Sequence, residues 1–179
     1  MRVCATRLVS VLTPASAGLT AELLAQHGMP LATALATLRA SLPRDAVLVG
    51  QNIAADVRWL GLVEGTDFGA LVDLVGVYRC WNPQYKSWSM FGQEHVARVL
   101  LGVDDGDAAH NAVTDAQKSV RLFNLHHTVL AHDPAQLATA HAALLSAPQQ
   151  QSFARRNPQF EGVCMGARKT CTCGGAFFY

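Results

Sequence analysis

The sequence predicts an α/β domain, on three observations. "AVLVG" (Ala46 to Gly50) is a short, continuously apolar, valine-rich run between turn residues, the pattern of a buried strand. "QNIAADVRWLGL" follows directly, with Asn52 placed to cap a helix whose buried stripe is Ile53, Val57 and Leu60. "FGALVDLVGVY" gives a second strand after a turn at Gly65. Strand, helix, strand in this order is the right-handed parallel unit from which α/β sheets are built.

The remaining elements follow in chain order. The start, "MRVCATRLVSVLTPASAG", carries two Arg, Ser and Thr and no acid before Glu22, the composition of an organelle transit peptide. Its Val3, Leu8, Val9, Val11 and Leu12 equally suit a strand. From Leu19 to Leu42 two helical patches are interrupted by Gly28 and Pro30; Leu31, Leu35, Leu38 and Leu42 recur at helical spacing until Pro43 stops them. "WNPQYKSWSMFGQEHVARVLLG" reads as an aromatic loop with Pro83, then an amphipathic helix capped by Ser89 that buries Val96, Val99 and Leu100. After the acidic turn "VDDGDAA", a helix from about Asn111 to His127 buries Val113, Ala116, Val120 and Phe123, and another runs from Pro134 to about Leu145. "APQQQSFARRNPQ" reads as a linker. Residues 1–147 are therefore one domain, and 148–179 a linker and basic, cysteine-containing tail.

Composition agrees with one compact domain. At 179 residues, 50% hydrophobic and 15% charged, the chain can bury a core and is too apolar for disorder. No run of 18 apolar residues is present, so a soluble protein with no membrane partner is expected. The net charge of +1 hides a basic tail, where Arg155, Arg156, Arg168 and Lys169 face Glu161 alone; it either holds a polyanion or is simply solvated. Five cysteines, an odd number, do not form the disulfide framework of a secreted domain. A reducing, intracellular setting is expected, cytoplasm or nucleus, or an organelle if the amino end is a transit peptide.

Four residues stand out chemically. Asn52 and Asp56 share one face of a helix that starts at the carboxyl end of a strand, where α/β folds bind ligands. Asp115 lies beside apolar positions of its own helix, where a carboxylate is costly unless it is paired, hydrogen-bonded or bound to a cation. Two carboxylates facing one cleft could hold Mg²⁺ or Mn²⁺, and His110, five residues before Asp115, could take a proton from an attacking water. Alternatively Asp56 pairs with Arg58 or Arg121, and His110 merely decorates a turn at a helix cap.

Taken together, "LVGQNIAADVRWLGL" and "HNAVTDAQKSVRLF" resemble the second and third motifs of the DEDDh 3′-to-5′ exonucleases, a family that includes ribonuclease T and the proofreading subunit of bacterial DNA polymerase. "GLTAELLAQHGMPLATALATLRASLP", "LVDL" and "SWSMFGQEHVARVLLG" extend the resemblance over about Gly18 to Val129. It implies a ribonuclease H-like domain with a mixed sheet, Asp56 and Asp115 as metal-binding carboxylates, His110 as general base, and Asn52 as a residue that helps to orient the site. It also implies two divalent ions and removal of terminal nucleotides, with RNA ahead of DNA because the eukaryotic RNA exonucleases look most similar.

The departure lies at the amino end. The family's first motif, Asp-x-Glu on an opening strand, supplies two of the four carboxylates, and the first acid here is Glu22 within a helical pattern. The domain is thus expected to be incomplete at its amino end, through a truncated start or as a decayed relative, with weak or absent catalysis. Missing strands would leave "AVLVG" with an unpaired edge, to be filled by the Met1 to Thr13 segment, by a partner, or by chain beyond this sequence.

Two further groups invite binding roles. Trp81, Tyr85 and Trp88 beside Lys86 could stack single-stranded bases and touch phosphate, or pack over the sheet as a lid. Arg155 and Arg156 would add phosphate contacts. Cys164, Cys171 and Cys173, with Cys80 or a histidine as fourth ligand, could hold Zn²⁺, or stay reduced and unliganded. His126, His127, His132 and His141 read as ordinary surface or boundary residues. The leading expectation is a metal-dependent 3′-to-5′ exonuclease acting on single-stranded RNA. Its rivals are a non-catalytic nucleic-acid- or protein-binding module with the same fold, and a zinc-tail interaction domain.

Overall fold

The computed structural model describes residues 3–4, 21–104 and 111–148. His110, Arg155, Arg156, Cys164, Cys171 and Cys173 lie outside the described residues. The elements are β1 (Val3–Cys4), α1 (Ala21–His27), α2 (Leu31–Ser41), β2 (Val47–Gly50), α3 (Ile53–Trp59), β3 (Ala70–Asp73), α4 (Leu74–Val77), β4 (Cys80–Asn82), β5 (Ser87–Ser89), α5 (Gln93–Leu101), α6 (Ala112–Thr128) and α7 (Pro134–Ser146). Among them no helix is long and apolar enough to cross a membrane.

Strand β2 is central. It runs parallel to β1, with Val3 opposite Val47 and Cys4 opposite Leu48, and parallel to β3, with Val47 opposite Ala70 and Gly50 opposite Asp73. The edge expected to need cover is paired by part of the Met1 to Thr13 segment. All four β2 residues are buried, because both faces are covered. Val47 and Val49 pack with Leu74, Val96, Leu122, Phe123 and Leu144, while Leu48 packs with Leu42, Ile53, Leu60 and Phe68. Period-two alternation thus assigns α2 and α3 to one face of the sheet and α5, α6 and α7 to the other.

Several expected elements are placed differently. The run "FGALVDLVGVY" is a strand only to Asp73, whose side chain accepts a hydrogen bond from the Val75 amide at 2.9 Å and so starts α4. The antiparallel pairing expected of a mixed sheet is confined, among the described residues, to a separate two-stranded hairpin of β4 and β5. That hairpin replaces the expected aromatic loop, and it takes Ser89 into β5 opposite Cys80, so α5 begins after Gly92 instead of at a serine cap. Gly102 ends α5 in the left-handed conformation (φ 65°), where a side chain would be strained.

Helix α6 is turned relative to expectation. Val113 is 64% exposed, and the face toward the core carries Asp115, Lys118, Ser119, Leu122 and Phe123. Val113, Ala116, Val120 and Phe123 have helical spacing, but so do Asp115, Ser119 and Leu122, and polar residues hide that second stripe from a reading based on hydrophobicity.

Tyr78 and Cys80 join α4 and β4 to this core. The Tyr78 hydroxyl donates to the Leu122 carbonyl at 2.7 Å, and burial raises its pKa well above the usual 10.0. Burial likewise pushes the Cys80 thiol from 9.0 up to about 11. Both groups are neutral when protonated, so the folded state keeps protons that the unfolded chain releases. The Cys80 contribution is complete below pH 9 and is lost as pH rises through about 11, while that of Tyr78 begins to fall only above pH 10. The midpoint of urea unfolding should therefore fall from pH 9 to 11, and Cys80→Ala should flatten the first part of that decline; an unchanged slope in the variant would count against the assignment.

Candidate active site

The carboxyl end of β2 leads directly into the turn and helix that carry Asn52 and Asp56. After Gly50 the chain turns through Gln51 and Asn52, and Asn52 adopts the left-handed conformation (φ 56°, ψ 35°), which asparagine tolerates better than most residues. Asn52 occupies the cap position of α3, yet its side chain makes no cap hydrogen bond. Its backbone amide instead donates to Asp73 Oδ1 at 3.0 Å, the same oxygen that receives the Val75 amide. Asp73 thus fixes both the β2–α3 turn and the start of α4. The sequence reading missed this role, although an acid ending "ALVD" before a new helix is a cap signature.

Asp56 lies in the first turn of α3 and is partly exposed. Asp115 lies in the first turn of α6, which is capped by Asn111: its side-chain oxygen accepts from the amides of Val113 and Thr114 at 2.9 and 3.3 Å. The helix cap within "HNAVTD" is therefore Asn111. Two glutamines tie the Asp115 turn toward β2. Gln51 donates its side-chain amide to the Phe91 carbonyl at 2.7 Å. Two residues further on, Gln93 donates to the Asp115 carbonyl at 2.8 Å and to Ser119 Oγ at 2.6 Å, and Ser119 Oγ donates to the Asp115 carbonyl. Helices from opposite faces of the sheet thus bring the first turns that carry Asp56 and Asp115 to the same end of it.

The Asp115 carboxylate is 2% exposed and forms a salt bridge with Lys118, which is 4% exposed; Nζ lies 3.2 Å from Oδ1. This buried pair was not anticipated, since an Asp and a Lys three apart on a helix usually form a solvated surface pair.

The two divalent ions implied by the resemblance can be tested against these side chains. Mg²⁺ keeps several waters and needs an open shell of oxygen ligands. Asp115 is enclosed and shares its Oδ1 with an ammonium. The described part of the strand beside β2, Val3–Cys4, brings no carboxylate. Among the described residues no three His, Cys, Asp or Glu side chains gather closely enough to hold a metal ion. These residues do not fit a two-metal pair. Cys80 is likewise ill placed as a zinc ligand for the tail, being fully buried with Sγ 3.5 Å from the Tyr78 carbonyl.

Trp81, Tyr85 and Trp88 lie on the β4–β5 hairpin. Trp81 and Trp88 face each other across β4 and β5, edge to face at 5.8 Å, and each is 50% exposed. The Arg79 guanidinium lies 4.6 Å over the Trp88 ring. Tyr85 and Lys86 occupy the exposed turn, Lys86 with φ 48°. Trp88 precedes Phe91 by three residues, so the platform starts within about 11 Å of chain from the loop that anchors Gln51. Elsewhere His127 stacks on Phe123 at 5.4 Å, and burial, with His127 and His141 nearby, lowers the His126 pKa, consistent with boundary roles.

Comparison with protein-family models gives no match. Comparison with curated proteins gives none either. Among solved structures, the chain is similar to the Neurospora crassa Pan2 catalytic unit (protease and nuclease domain), with 17% identity and a TM-score of 0.56 over 74% of this chain and 21% of that one. The chain spans about a fifth of the length of that structure, and the likeness is one of fold.

Gln93 is the side chain that locks the Asp115 turn. Gln93→Ala removes two buried hydrogen bonds, and a loss of about 1–3 kcal/mol in urea unfolding is expected, together with faster amide exchange in the first turn of α6. A stability within experimental error of the parent would show that the turn does not depend on it.

Proposed function

We propose that this chain is an exonuclease-fold domain, ribonuclease H-like, that binds single-stranded nucleic acid, RNA before DNA, and hydrolyses it weakly or not at all. One pair of observations carries the reading: Trp81 and Trp88 are half-exposed with the Arg79 guanidinium over one ring, while the Asp115 carboxylate is buried and ion-paired. Stacking on Trp81, Trp88 and Tyr85 would accept any base, since every base has an apolar face, while Arg79, Lys86 and the tail residues Arg155 and Arg156 would meet phosphates. The odd cysteine count supports an intracellular setting.

A second reading is metal-dependent 3′-to-5′ hydrolysis. It is favoured by the placement of Asp56 and Asp115 in the first turns of helices that reach one end of the sheet, the usual ligand end of an α/β fold. One experiment separates the two. The purified chain is incubated with 3′-labelled and with 5′-labelled single-stranded RNA, in Mn²⁺ and in chelator, and binding is followed by fluorescence anisotropy. Binding in both buffers with no stepwise shortening is expected, and Trp81→Ala should weaken it by about 1–3 kcal/mol, about 5- to 150-fold. Shortening from the 3′ end that needs Mn²⁺ and Asp115 would establish the second reading; absence of binding would sink the first.

A further inference from the structure

A lysine side chain is almost never fully buried, because removing its charge from water is costly unless a partner compensates. Lys118 is 4% exposed, on the core face of α6 next to Ser119 and one turn before Leu122. Its ammonium lies 3.2 Å from Asp115 Oδ1. Asp115 also sits in the first turn of a 17-residue helix, where the backbone amides add positive potential. Gln93 and Ser119 hold that turn in place through the Asp115 carbonyl. The carboxylate therefore has a fixed positive charge supplied by its own helix, in an enclosed position. A divalent ion on the same carboxylate would stand within a few ångströms of a like charge, with no solvent between to screen it.

We infer that Lys118 is the resident cation of this site: its ammonium takes the charge-neutralising place at Asp115 that a divalent ion would hold in an exonuclease fold. The inference rests on the proposed exonuclease-fold reading for the location of the site. On this inference folding does not require a divalent ion, and removal of Lys118 makes Asp115 responsive to one.

The test uses the full chain and Mn²⁺ alone. Mn²⁺ binding is titrated by electron paramagnetic resonance, and thermal unfolding is compared in Mn²⁺ and in chelator, for the parent, Asp115→Asn, Lys118→Met and the double variant. The parent and Asp115→Asn should give superimposable titrations, and the parent's Tm should be the same in both buffers. Lys118→Met should melt lower than the parent in chelator and regain several degrees in Mn²⁺, a gain that the double variant lacks. Mn²⁺ bound by the parent but lost in Asp115→Asn would overturn the inference, as would a Lys118→Met chain that folds and ignores Mn²⁺. If the variants do not fold, the parent's Tm decides: a Tm higher in Mn²⁺ than in chelator overturns the inference, and an equal Tm supports it. No measurement involves RNA, so its failure and that of the RNA-binding reading are separate outcomes.

Discussion

Burial of β2 on both faces is the constraint on which the rest of the architecture depends. A four-residue strand with no solvent face must find apolar cover above and below, and its backbone must find partners on both edges. Alternation along the strand sends Val47 and Val49 toward α5, α6 and α7, and Leu48 toward α2 and α3. Strands β1 and β3 close the edges in parallel register. Because α3 leaves directly from the end of β2 while α6 packs against its other face, only the carboxyl end of the sheet can bring both helices' first turns together.

That convergence creates a polar problem, since the β2–α3 turn and the loop before α5 carry backbone groups that the sheet cannot satisfy. Side chains solve it. Asp73 serves the amides of Asn52 and Val75, Gln51 serves the Phe91 carbonyl, and Gln93 joins the Asp115 carbonyl to Ser119. Each of these residues comes from a different element than the group it serves or from the turn before it. The site is thus held by a series of side-chain hydrogen bonds from β3 to α6, with the Lys118–Asp115 ion pair at its end.

What could be read from the sequence follows from which signals are local. "AVLVG" announced a doubly buried strand, and "NIAADVRWL" a helix with Ile53 and Leu60 inside, because apolar spacing and turn residues act within one element. The helix caps were poorly legible: Asn52 stands at a cap but is used for its left-handed backbone, the serine expected to cap α5 lies in β5, and the side chains that do cap, Asp73, Asn111 and Asp133, were not singled out as caps. Trp81 and Trp88 were legible as an aromatic cluster, but their pairing depends on a hairpin whose turn carries no Asn-Gly or Gly-rich signature. The buried face of α6 was illegible for a different reason. Asp115, Lys118 and Ser119 are buried because they satisfy one another and Gln93, a compensation made across 22 or more residues of chain that no window of hydrophobicity records.

The chemistry available to the site follows from the kind of cation it holds. A divalent ion neutralises a carboxylate and also keeps open positions on which water can be bound and acidified. An ammonium neutralises the carboxylate equally well but offers only N–H donors, fixed in place by a covalent stem. On the proposed assignment of Lys118, charge balance at Asp115 would be kept without the capacity to activate water that a metal ion supplies. The Trp81–Trp88 platform demands nothing of that pair, because stacking and the Arg79 charge act through exposed surface. The proposed recognition and the alternative hydrolytic reading are therefore separable: the first would rest on the hairpin, the second on the buried Asp115 that is already ion-paired.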